Sequence, residues 1–116
     1  MTTDLVTCDA DAAVRTAAEL MLRNRIGSVV VTDGGTPAGI LTESDVLHAA
    51  YATDDPLSTI PVQKAASAPL VTVRPDATLR TATERMRSEG VKKLVVVDGV
   101  TPAGIVTTQD VVDNYA

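Results

Sequence analysis

Two stretches of the sequence combine a hydroxyl and a carboxylate at the same short spacing. Gly39–Asp45 reads GILTESD and Gly104–Asp110 reads GIVTTQD. In each stretch the aliphatic part predicts the end of a buried strand, and Thr-x-x-Asp predicts the start of a helix. The polar side chains can cap that helix, or they can bind the phosphate and ribose of a ligand beside the exposed N–H groups of the first turn. The candidate residues are Thr42, Asp45, Thr107 and Asp110.

These stretches belong to an internal repeat. Leu5–Leu47 superposes on Leu70–Val112 without a gap, and about half of the aligned positions are identical. Each copy predicts the order strand, helix, strand, strand, helix. A copy of about 45 residues is too small to bury its sheet alone. The predicted fold is therefore α+β, with two β-α-β-β-α units packed through their sheets about a pseudo-twofold axis. The predicted boundaries are residues 1–51 for the first repeat, 52–67 for a polar connector and 68–116 for the second repeat.

In the second copy, residue types predict where the first helix begins and ends. Pro75 ends the preceding strand, and Asp76 is a plausible N-cap for a helix from about Thr78 to Glu89. Gly90 is the expected C-terminal stop of that helix. The connector between the copies predicts about one helical turn at most.

Composition excludes several classes of function. The net charge of −5 and the absence of Phe and Trp argue against nucleic-acid binding. No apolar run approaches the roughly 20 residues of a membrane-spanning helix, and the polar N-terminus does not resemble a signal peptide, so we expect a cytoplasmic protein with no membrane contact. Cys8 is the single cysteine, which excludes an internal disulfide and a multi-cysteine metal site. His48 lacks a nucleophile placed by any motif, so we expect no enzymatic activity and no required cofactor or metal.

Taken together, the repeated motifs resemble a tandem pair of CBS domains (cystathionine β-synthase domains), also called a Bateman module. The resemblance covers nearly the whole chain. The residues that carry it are Leu70–Leu79, Gly90–Asp98 and Gly104–Asp110 in the second copy, with Asn24–Val31 and Gly39–Asp45 in the first.

The resemblance implies a regulatory module that binds AMP, ADP, ATP or S-adenosylmethionine in two clefts between the repeats and signals to a partner protein. It gives Asp45 and Asp110 the role of holding the ribose, and Thr42 and Thr107 that of contacting phosphate. It also implies that Lys92 and Lys93 face the phosphates. The residues that it implies around the adenine are Ile26, Val91, Ala66, Ser67 and Pro69.

Differences between the copies predict unequal sites and self-association. Gly27 and Ser28 stand where the second copy has Lys92 and Lys93, so we expect one competent nucleotide site and one weak or empty site. On the first long helix, Leu20 and Leu22 correspond to Arg85 and Arg87. Exposed leucines would form the interface of a homodimer, whereas buried ones would pack against the connector. Two alternative functions stay open: a dimerisation or interaction module without a nucleotide ligand, and an enzyme acting on nucleotides.

Overall fold

The computed structural model describes residues 5–66 and 70–114, so the predicted contacts Ser67 and Pro69 lie outside the described residues. The first repeat contains β1 (Thr7–Asp9), α1 (Val14–Asn24), β2 (Ser28–Asp33), β3 (Thr36–Thr42) and α2 (Glu43–Ala52). A 3-10 helix (Leu57–Thr59) and the short helix α3 (Val62–Ala65) follow. The second repeat contains β4 (Thr72–Val73), α4 (Leu79–Glu89), β5 (Lys93–Asp98), β6 (Thr101–Thr107) and α5 (Thr108–Asn114).

Each repeat has a three-stranded sheet in the order in which its strands occur in the chain. β1 pairs with β2 in parallel, and β3 pairs with β2 in antiparallel orientation. β4, β5 and β6 repeat this arrangement. The predicted order of strand, helix, strand, strand, helix is therefore confirmed in both copies, and so is the α+β class. Among the residues that the structure describes, no helix has the length and apolar character needed to cross a membrane.

Each sheet packs its helices on one face. In the first repeat Met21 of α1 packs among Val29, Val31 and Leu41 of the sheet, and all four side chains are buried. The alternation of a strand directs Val30 and Ile40 to the opposite face, yet they are buried as well. The second repeat has the same pattern. Its helix-side core contains Ala82, Met86, Leu94, Val96 and Val106, while Val95 and Ile105 are buried on the other face.

The first helix of the second repeat begins one residue later than expected and has a different cap. Thr78 is the N-cap of α4, because its hydroxyl accepts a hydrogen bond from the N–H of Thr81 at 3.1 Å. The prediction of Asp76 as the cap is wrong, since Asp76 lies upstream in the turn and pairs with Arg74 at 3.6 Å. Gly90 ends α4 in the left-handed region, at φ 66°, as the sequence predicts.

The connector is built into the first repeat. Among the described residues, one compact unit runs from Val6 to Ala66, and the other contains Leu5 with residues 70–114. The side chain of Val62 is fully buried in the core of the first unit. The connector therefore holds two short helices and a core residue, where the sequence predicted a polar segment with about one helical turn.

Candidate functional site

The Thr-x-x-Asp motif of the second repeat lies where β6 passes directly into α5. The N–H of Thr107 donates to Asp110 Oδ2 at 2.8 Å, and the N–H of Asp110 donates to Thr107 Oγ1 at 3.2 Å. The Thr107 hydroxyl also donates to the same carboxylate oxygen at 3.3 Å. Both side chains are half-buried. This reciprocal pair is a capping box, so the helix-capping interpretation describes real contacts.

The first repeat has the same geometry. The N–H of Thr42 donates to Asp45 Oδ2 at 2.8 Å, and the N–H of Asp45 donates to Thr42 Oγ1 at 3.2 Å. The two junctions therefore carry nearly identical hydroxyl and carboxylate groups. Any difference in what they bind must come from their neighbours.

In the second repeat, the neighbours of the junction are basic. Lys93 lies directly opposite Thr107 in the antiparallel ladder, so the two side chains share one face of the sheet about 5 Å apart at Cβ. The carbonyl of Lys92 accepts a hydrogen bond from the N–H of Thr108 at 3.0 Å. The structure thus brings Lys93, Thr107 and Asp110 together at one end of the sheet. Lys92 contacts this junction through its backbone carbonyl, and the alternation of the strand directs its side chain to the face opposite that of Lys93. A half-buried lysine beside a hydroxyl suits an anionic group such as a phosphate.

In the first repeat, the corresponding neighbours are neutral and acidic. Ser28 lies opposite Thr42, and the carbonyl of Gly27 accepts from the N–H of Glu43 at 3.1 Å. A Cβ added to Gly27 would lie 2.9 Å from Oε1 of Glu43, so the Glu43 carboxylate folds over the glycine. A carboxylate therefore stands beside the position that Lys92 occupies in the second repeat, and it disfavours an anionic ligand there.

The predicted adenine contacts are divided between the repeats. Ile26 is half-buried against the core of the first repeat, and Val91 is half-buried against the core of the second. Ala66 also packs against the first core, and its N–H donates to the carbonyl of Val62 at 2.9 Å. The segment expected to lead into the second repeat's site thus belongs, as far as Ala66, to the same compact unit as Asp45.

Sequence reasoning missed a cavity of 330 Å³ between α2 and the connector. Asp45 and His48 line it from α2, and Thr59 and Lys64 line it from the connector. The three-residue spacing of Asp45 and His48 on a helix indicates a shared face. The approach of Lys64 has no local signal, because it depends on the connector folding back onto the first repeat.

Among the described residues, no metal-ligand cluster is observed at either junction. Within residues 5–66 and 70–114, no group of three or more His, Cys, Asp or Glu side chains is placed to hold a metal ion. Burial, followed by the negative charge of Asp9, raises the pKa of the Cys8 thiol above its ordinary value. Cys8 is 6% exposed and belongs to the first core, where it packs as a small buried hydrophobe.

Two copies of one β-α-β-β-α unit, each with a capped strand-to-helix junction, define a duplicated α+β module. The family model described as CBS domain matches residues 1–52 and 62–116, and the chain belongs to this family. The resemblance drawn from the sequence motifs is therefore confirmed.

Individual relatives agree with this assignment. The CBS domain-containing protein YhcV of Bacillus subtilis is 30% identical over 114 residues, which cover 98% of this chain and 81% of YhcV. The uncharacterized protein MJ1404 of Methanocaldococcus jannaschii is 30% identical over 129 residues, but the chain spans only 31% of its length. The crystal structure of the CBS-domain containing protein ATU1752 from Agrobacterium tumefaciens has a TM-score of 0.80 at 30% identity, covering 98% of this chain and 90% of that one.

Proposed function

We propose that this CBS-domain pair is a regulatory module that binds an adenosine-containing ligand and signals its presence to a partner protein. The ligand class comprises AMP, ADP, ATP and S-adenosylmethionine. The observation that carries the proposal is the placement of Lys93 opposite Thr107, with Asp110 hydrogen-bonded to that threonine. In this proposal Asp110 contacts the ribose hydroxyls, and Lys92 and Lys93 contact the phosphates.

The two junctions differ in their expected affinity for phosphate. The second repeat offers Lys92 and Lys93, whereas the first repeat has Glu43 folded over Gly27. A lysine beside the Thr107 hydroxyl attracts a phosphate, and a nearby carboxylate repels it. We therefore assign the stronger nucleotide site to the second repeat and a weaker one to the first.

Regulation by this module requires that the ligand bind two states of the chain with different affinity. A ligand with equal affinity for both states would shift neither, however tightly it bound. The proposal gives the module no reaction of its own. Turnover of any of these nucleotides by the purified chain would instead support the enzyme alternative.

Isothermal titration calorimetry with AMP, ADP, ATP, S-adenosylmethionine and NAD tests the proposal directly. Asp110→Ala should abolish binding, and Asp45→Ala should weaken it much less. The second variant is a matched control, because both substitutions remove the same capping box and should cost similar stability, about 1 kcal/mol each. If Asp110→Ala loses more binding than Asp45→Ala while both variants lose the same stability, the difference in binding is due to ligand contact and not to helix capping. Equal loss of binding would contradict the assignment of the stronger site.

A dimerisation module is the second candidate, and one observation favours it. An apolar groove of 540 Å³ between α1 and α2 is lined by Leu22 and Leu47, which are 81% and 71% exposed. Leu20, in contrast, is half-buried against the first core. Exposed leucines around a groove are typical of a protein interface. We therefore propose that the chain forms a homodimer through this face of α1 and α2.

Sedimentation velocity over a range of concentrations tests self-association. Leu22→Arg introduces the residue type found at the corresponding position of the second repeat, Arg87. It should shift the chain to monomer, because a buried arginine without a partner is costly in an apolar interface. Val112→Arg, at a 65% exposed position of the second repeat, is the control and should leave the dimer intact. A chain that is monomeric at every concentration would exclude this interface.

If no ligand binds at millimolar concentration while the dimer forms, the interaction module becomes the better description.

A further inference from the structure

The apolar groove between α1 and α2 carries one charge of each sign beside its exposed leucines. Leu22 and Leu47 line the groove and are 81% and 71% exposed. Arg25 and Glu43 line it as well, and both of these residues are exposed. A surface that combines a cation, an anion and exposed leucines is complementary to a second copy of itself. We call this surface the α1–α2 groove.

Arg25 has a backbone conformation that favours glycine. Among the described residues it is the only one other than glycine with a positive φ, at 54°. It ends α1, and its N–H donates to the carbonyl of Met21. The equivalent residue at the end of α4 is Gly90, at φ 66°. The left-handed region costs an arginine more than a glycine. Helix termination alone would favour glycine, so a role for the side chain accounts for the arginine.

Glu43 is the first residue of α2, and its carboxylate is able to move. It lies over Gly27, where an added Cβ would stand 2.9 Å from Oε1, at the far end of a flexible side chain. Arg25 and Glu43 line the same groove but do not form an ion pair with each other. The two charges are therefore both available to a molecule that enters the groove.

The second repeat lacks this combination of residues. The repeat alignment places Arg87, Gly90 and Thr108 at the positions of Leu22, Arg25 and Glu43. One leucine, the cation at the end of the first helix and the anion at the start of the last helix are thus all specific to the first repeat. A face of the second repeat would offer no carboxylate at the position that could pair with Arg25.

We propose that two copies of the chain associate through their α1–α2 grooves about a twofold axis, and that Arg25 of each copy forms an ion pair with the partner subunit's Glu43. The inference rests on the homodimer proposed above and adds the contacts that fix its register. Because the axis makes both contacts equivalent, the interface contains this ion pair twice. The leucines supply the apolar area, and the two ion pairs determine which surface of the second copy is bound.

Charge reversal at each end of the pair tests the proposal on the full chain. In Arg25→Glu both contacts across the interface would join two carboxylates, and in Glu43→Arg both would join two guanidinium groups. Each variant alone should dimerise at least about tenfold more weakly than the wild type in sedimentation velocity.

Mixing the two variants distinguishes a pair between subunits from a pair within one chain. In the mixed dimer both contacts again join opposite charges, so energy transfer between differently labelled variants should recover an affinity within about threefold of the wild type. A pair within one chain predicts no recovery, because each variant would keep its own two like charges. Circular dichroism establishes that each variant is folded, and Glu43→Lys replaces Glu43→Arg in the mixture if the latter is not.

Arg87→Glu, at the position equivalent to Leu22, is the matched control and should leave self-association unchanged. Weaker association of this control would indicate pairing of the first repeat with the second and would overturn the proposed register. Variants that dimerise as the wild type does, or a mixture that does not recover, would overturn the ion pair and leave the homodimer standing. A wild-type chain that is monomeric at every concentration would overturn both the homodimer and its register.

Discussion

Replacing Val62 with alanine tests whether the connector is part of the first repeat's core. Val62 is fully buried, and its N–H is hydrogen-bonded to Ala12. The substitution leaves that backbone bond available and removes two methyl groups from the core. The chain should therefore lose stability without losing the hydrogen-bonding potential of the connector.

The size of the loss follows from burial, cavity formation and helix propensity. Removing two buried methyl groups costs about 1.6 kcal/mol in transfer free energy, at about 0.8 kcal/mol each. The cavity left in a close-packed core adds about 1 kcal/mol. Alanine favours the short helix α3 over valine by about 0.5 kcal/mol, which acts in the opposite direction. The free energy of unfolding should fall by about 2 kcal/mol, because the first two effects outweigh the third.

Urea unfolding followed by circular dichroism measures this change, and amide hydrogen exchange locates it. The exposed Val100→Ala is the control and should change the free energy of unfolding by less than about 0.5 kcal/mol. Exchange at the Val14 amide, which is bonded to Ile60, should accelerate in Val62→Ala. Exchange at Val95, which is bonded to Val71 in the second repeat, should change less.

A loss no larger than that of Val100→Ala, with unchanged exchange at Val14, would refute the assignment of the connector to this core.

Two further predictions concern local contacts. Thr107→Val keeps the side-chain size but removes the hydroxyl that accepts the N–H of Asp110, so it should lower the free energy of unfolding by about 1 kcal/mol, whereas the neighbouring exposed Thr108→Val should change it much less. The raised pKa of Cys8 keeps its thiol protonated to higher pH than that of a free cysteine. Alkylation by iodoacetamide at pH 8 should therefore be slower than for a model thiol, and Asp9→Asn should speed it slightly; reaction at the model rate would contradict the burial of Cys8.

The sequence predicts the repeated elements well because their signals are local and occur twice. The buried runs Val29–Val31 and Leu94–Val96 form the central strands, and Gly90 ends its helix as expected. The capping contacts of Thr42 with Asp45 were also among the predicted alternatives, because a three-residue spacing at a helix start defines that geometry. Each of these features depends on neighbours within a few residues.

The connector could not be predicted in the same way, because its structure depends on distant residues. Val62 has no periodic pattern around it, and it is buried only because Ile60 and Val62 meet the backbone of Val14 and Ala12. The prediction of the N-cap residue of α4 was wrong for a more local reason. Asp76 and Thr78 are both good N-cap residues, and the choice between them depends on where the turn after Pro75 directs the chain.

Equivalent positions in the two repeats have diverged in charge while the backbone contacts have been kept. The N–H of Glu43 meets the carbonyl of Gly27, and the N–H of Thr108 meets the carbonyl of Lys92, at nearly the same distances of 3.1 and 3.0 Å. The glycine accommodates the Glu43 carboxylate, since a Cβ there would lie 2.9 Å from Oε1. The atom that a Cβ would meet is the far end of an exposed, flexible side chain, so Glu43 would move aside at little cost. A lysine at position 27 alone should still not make the first junction a phosphate site, because the neighbouring Glu43 carboxylate would offset its charge.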